Sequence, residues 1–141
     1  MEMPETDDKL TAEKWIKSSR LAQFLLEKSD LTREELKTML LYYWSGGTTF
    51  EDLAQKLRIQ RPGAWKRWRR SLDMIMRSFY TIELAMYAGI LDPEIADIVS
   101  QDLQDYASLA REEGGLEEIQ SRIEERMVKL KKITPSTRGT T

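Results

Sequence analysis

Residues 49–70 read TFEDLAQKLRIQRPGAWKRWRR, and the fold turns on how this stretch divides. Thr49 offers a side-chain oxygen as a helix cap, with Asp52 three residues on. Leu53, Ala54 and Leu57 then give a short helix one apolar side. Arg58-Ile59-Gln60 is a tight connection leading to Arg61-Pro62. Proline suits the first turn of a helix, because the N–H it lacks would be unpaired there anyway. The second helix is expected to reach about Tyr87, with a break allowed near Ser78 to Thr81, and Gly89 is a natural stop.

The second helix has two faces. At about 100° per residue, Trp65, Trp68, Leu72, Ile75 and Phe79 fall within about 80° of arc. Lys66, Arg70 and Arg77 lie nearly opposite, and Arg67 and Arg69 flank that basic face. Two registers fit the crossing with the short helix. In the strict one Ala64 points inward, against small Ala54. Shifted by one residue, Trp65 and Trp68 point inward instead, which buries more apolar bulk and packs better.

This stretch resembles the helix-turn-helix of many bacterial, archaeal and phage regulators. The resemblance spans about twenty-two residues. It rests on small Ala54, on Leu57 three positions later, on aliphatic Ile59 in the turn, and on the two-faced second helix. A small residue at Ala54 lets the helices cross closely. The position such motifs fill with glycine is Arg58, which must take a strained left-handed backbone or use another turn. The resemblance implies a DNA-binding protein, a transcriptional regulator or DNA-organising factor. Gln60, Arg61 and Lys66, at the start of the second helix, would reach base edges. Lys66, Arg67, Arg69 and Arg70 would hold phosphates, and Arg77 extends the same basic face.

Helical signals fill the rest of the chain. A first helix is expected from about Thr11 to Lys28, with Trp15, Ser19, Ala22 and Leu26 on one side. Ser29-Asp30-Leu31-Thr32 interrupts it, and Thr32 with Glu35 makes a capping box for the next. Leu36, Met39, Leu40, Tyr43 and Trp44 form that helix's stripe, which Gly46-Gly47 ends. Asp92-Pro93-Glu94 opens a helix carrying Ile95, Ile98, Val99, Leu103, Tyr106 and Leu109. Gly114-Gly115 separates it from a last helix with Leu116, Ile119, Ile123, Met127, Leu130 and Ile133. No period-two alternation bounded by hairpin turns occurs, so no wing is expected. The expected fold is all-α: a helix-turn-helix core with an N-terminal helix and a C-terminal helical hairpin. The expected organisation is a flexible acidic start at 1–8 and a helical domain at 9–91 that holds the helix-turn-helix at about 49–79. A hairpin at 92–133 and a flexible tail at 134–141 follow.

Composition narrows the function classes. The 141 residues contain no histidine and no cysteine, which removes the usual zinc sites, the Ser-His and Cys-His triads, and disulfides. Glu112-Glu113 and Glu117-Glu118 read as exposed helix charges, so no metal, cofactor or catalytic residue is expected. No apolar run approaches the ~18 residues that cross a bilayer, so no membrane partner and a cytoplasmic location are expected. The formal charge of −2 is unevenly spread. Residues 56–77 carry eight basic and one acidic side chain, whereas residues 78–127 carry three basic and twelve acidic. A basic block in an acidic chain is the electrostatic footprint of a polyanion partner, here double-stranded DNA. A homodimer through the C-terminal helices would bring two recognition helices to successive major grooves. The alternative is a non-catalytic protein-interaction module whose basic face docks an acidic partner or the chain's own acidic half.

Overall fold

The computed structural model describes residues 5–46 and 48–133. Among these residues there are seven α-helices and no strand, so the fold is all-α and has no wing. The helices are α1 (Glu5–Ser18), α2 (Arg20–Lys28), α3 (Arg33–Trp44), α4 (Phe50–Leu57), α5 (Arg61–Tyr87), α6 (Pro93–Ala110) and α7 (Leu116–Ile133). The expected flexible tail at 134–141 lies outside the described residues, as do residues 1–4 of the expected flexible start. The chain divides into two compact units, Met1–Phe79 and Tyr80–Thr141, so the division falls inside α5 rather than at residue 91.

In the first unit, the single helix expected from Thr11 to Lys28 is broken at Ser19. The Ser19 backbone is extended (φ −88°, ψ 110°), and its Oγ accepts the Ala22 N–H at 3.1 Å. The Gln23 side chain donates to the carbonyls of Ile16 and Lys17, satisfying groups left open where α1 stops. Ser19 therefore acts as an N-cap and not as one residue of an apolar stripe, and α1 buries Ala12 and Ile16 instead. Trp15, expected on the inner side, is partly exposed and meets Trp44 edge to face at 5.5 Å.

The other starts and stops follow the residues that signal them. Thr32 and Glu35 form the capping box, with Thr32 Oγ1 accepting from Glu35 N at 3.1 Å and Glu35 Oε1 from Thr32 N at 2.8 Å. Thr49 Oγ1 accepts the Asp52 N–H at 3.1 Å, and Asp92 Oδ1 accepts that of Glu94 at 2.9 Å. Such caps contribute about 1 kcal/mol each. Helix α5 runs unbroken through Ser78 to Thr81 and stops before Gly89, whose φ of +75° suits a residue without Cβ.

Helix α1 packs on α2, α3 and α4, and α3 packs on α4. Ala12, Leu41, Leu53, Ala54, Leu57 and Ala64 form one buried cluster drawn from α1, α3, α4 and α5. Leu41 and Leu53 are almost fully enclosed, and burying side chains of that size stabilises by about 1.5–3 kcal/mol each. Beside the cluster, Tyr42, Phe50 and Trp68 make an aromatic trio with ring centroids 5.2–5.3 Å apart, joining α3, α4 and α5.

In the second unit α6 and α7 form an antiparallel hairpin over Ile95, Ile98, Ile119 and Ile123. A ladder of ion pairs fixes its register. Lys129 meets Glu94 at 2.8 Å, Arg126 binds both Asp102 and Asp105, and Arg122 reaches Asp105 at 3.4 Å.

Candidate nucleic-acid interface

The segment α4–turn–α5 positions the basic residues. Arg58 ends α4 with a left-handed backbone (φ 58°, ψ 43°), so the strained option is the one the chain takes. The reversed chain brings the Gln60 carbonyl to the Ala64 N–H at 3.0 Å, which begins α5. Its first turn carries no acid, so the positive end of the helix dipole is unmasked beside Arg61.

The register of α5 is the strict one. Ala64 is completely buried and Ser71 with it, whereas Trp65 is 47% exposed and Phe79 is exposed as well. The inward row is therefore Ala64, Trp68, Ser71 and Ile75, with Trp68 common to both registers. The preference for Trp65 inward is corrected by the tightness of the core at this point. Ala64 sits fully enclosed in one cluster with Ala12, Leu41, Leu53, Ala54 and Leu57, which holds a methyl group there and has no room for an indole.

With that register, Lys66, Arg70 and Arg77 lie along one exposed face of α5, about 40° apart or less at 100° per residue. Lys66 and Arg70 have no ion-pair partner among the described residues. Arg69 borders the row and pairs with Asp73 one turn on, at 3.3 Å. Arg67 leaves the group: its half-buried guanidinium turns toward α3, 3.9 Å from Glu34. Gln60 and Arg61 are exposed, but Arg61 stands about 140° around the helix from Lys66. The basic block also loses Lys56, which is half-buried and donates to Ser45 Oγ at the end of α3 at 3.1 Å.

The structure thus brings together Lys66, Arg69, Arg70 and Arg77, and it adds Trp65, Asp73 and Met74 around one shallow, open depression. Trp65 is the member that periodicity assigned to the core. The signal that could have found it was the small pair Ala54 and Ala64, which together exclude bulk from the crossing. Chemically, the surface offers several cations and an indole face to a polyanion. Among the described residues no three Asp or Glu side chains gather to hold a metal ion. No helix among them is long and apolar enough to cross a membrane. No family model, curated protein or solved structure matches the chain, and the geometry of its own residues is what bears on function.

Proposed function

We propose that this chain binds double-stranded DNA through α5, as a regulator or DNA-organising factor. The observation that carries the proposal is the open row of Lys66, Arg70 and Arg77, set opposite the face that packs on α4. Lys66 and Arg70 face solvent with no acid paired to them, and the unmasked N-terminus of α5 adds to the same sign. A 27-residue helix that buries Ala64 and Ser71 on one side and shows cations on the other can enter a major groove. Lys66 and Arg70 would hold phosphates or reach base edges, and Arg69 and Arg77 would widen the backbone contact, while Gln60 and Arg61, off this face, would meet DNA only through the N-terminal end of α5. Arg67, turned toward Glu34, contributes to packing first. Two-fold sites on DNA are read by paired chains, so we infer two chains per site.

Fluorescence anisotropy with mixed-sequence duplex DNA, at low and moderate salt, tests the proposal. Affinity should fall steeply with salt, because each phosphate contact releases a counterion. Absence of binding at low salt sinks it. In that case an acidic protein surface would be the partner of the same face, a reading favoured by Trp65 standing exposed among the cations.

A further inference from the structure

The stretch 80–91, YTIELAMYAGIL, holds one charged residue, Glu83. A helix apolar on every side is normally enclosed by other protein. Here Tyr80 is 64% exposed, Leu84 67%, Tyr87 93% and, just past the helix, Ile90 69%. Tyr80, Leu84 and Tyr87 follow one another at steps of four and three, so they make one stripe along α5. Beside the stripe runs a shallow groove of about 600 Å3, walled by Ile82, Met86 and Tyr87 from α5 and by Ile95, Val99 and Leu103 from α6.

We infer that this face seats a second copy of the chain. Two α5 segments pair about a two-fold axis through Tyr80, Leu84 and Tyr87, and Tyr87 of each copy lies in the other's groove. The ridge and the groove adjoin along Tyr87, which belongs to both, so each copy can offer its ridge to the other's groove, the self-complementarity a two-fold contact requires. The area fits as well. Tyr80, Leu84, Tyr87, Ile90 and Leu103 are exposed by between 52% and 93%. At about 200 Å2 for each large side chain, they offer roughly 700 Å2 per copy, within the range of about 600–1,000 Å2 per partner of a stable interface.

Charge points the same way. Glu83 is the one ionised group lining the groove. Asp102 and Asp105, which add to the unit's negative balance, are already held by Arg126 and Arg122. A charged partner finds little to recognise on the stripe, and nucleic acid would meet an acidic unit. A second apolar stripe finds its match. The contact differs from one made through α6 and α7 alone, where the exposed large apolar side chains are the scattered Leu103, Leu116 and Val128. It does not rest on the nucleic-acid proposal.

Sedimentation equilibrium of the full chain without DNA, across micromolar concentrations, tests it. The wild type should be a dimer. Leu84→Glu combined with Tyr87→Glu should raise the dissociation constant at least about 100-fold at unchanged helicity, since hot-spot positions carry most of an interface's affinity. Val128→Glu, on α7, should leave the dimer intact. If the double variant loses helicity, Leu84→Ala decides, with an expected weakening of about tenfold. A monomeric wild type, a dimer that survives the double variant, an unmoved Leu84→Ala constant, or a dimer broken by Val128→Glu overturns the inference.

Discussion

The Ile59 N–H donates to the Ala54 carbonyl at 3.0 Å, reaching back across the end of α4. That bond closes a helix terminus of the kind usually built on glycine, with the Arg58 N–H donating alongside to the Gln55 carbonyl at 3.2 Å. Arg58, in between, holds φ at +58°. The same turn that starts α5 and orients its basic face is therefore held by a residue in a costly conformation.

Arg58→Gly should stabilise the first unit. A side chain with Cβ in the left-handed region costs about 1–2 kcal/mol, part of which glycine gives back as entropy in the unfolded chain. The expected net gain is about 0.5–1 kcal/mol, read as a higher thermal midpoint by circular dichroism. A midpoint that stays or falls would show that the Arg58 side chain makes a compensating contact.

The register of α5 can be tested by two substitutions one residue apart. Ala64→Leu forces bulk into the crossing with α4 and should cost about 1–3 kcal/mol, more if the helices separate. Trp65→Ala removes a half-exposed indole and should cost well under the roughly 3–5 kcal/mol typical of a buried tryptophan. Urea denaturation measures both. A larger loss from Trp65→Ala than from Ala64→Leu contradicts the register.

These two positions also show what the sequence could and could not convey. Helix ends at Thr32, Thr49, Pro62, Gly89 and Asp92 are local chemistry, written in adjacent residues, and they were legible. So was the basic face, because charge and periodicity need no partner to be read. The choice between Ala64 and Trp65 depended on the distance between two helices, which no single helix encodes. The break at Ser19 escaped because a serine fits a helix interior as well as a cap, and what favours the break, Gln23 covering the carbonyls at the end of α1, is not visible in the local pattern. The turn of Arg67 toward Glu34 was likewise set by α3, thirty-odd residues away in sequence.

Salt dependence separates the cations. Lys66→Ala and Arg70→Ala should each weaken duplex binding for every sequence and shallow the slope of log K against log salt by about 0.9. Arg67→Ala should leave that slope nearly unchanged while lowering stability slightly, since its partner is Glu34. Equal slope changes from all three would mean that Arg67 swings out to meet phosphate.

The α6–α7 hairpin should weaken in acid through Asp105. Burial works to raise its carboxyl, but hydrogen bonds from Arg126 and Arg122 outweigh it and hold the group below the ordinary carboxylate range. A folded value below the unfolded one, about 3.9, means the contribution is complete above that pH and is lost as pH falls through the depressed value. Arg126 is shifted up: burial opposes its charge, but hydrogen bonds to Asp102 and Asp105 prevail, so it stays ionised throughout. Asp105→Asn should cost about 1–3 kcal/mol at neutral pH, the range of hydrogen bonds to charged groups. The gap from wild type should begin to narrow as pH drops below about 4, where the unfolded carboxyl takes up its proton first, and should close once pH passes the depressed folded value. Denaturation midpoints across pH measure this, and a gap that stays constant into acid would remove the Asp105 charge from the account of the hairpin's stability.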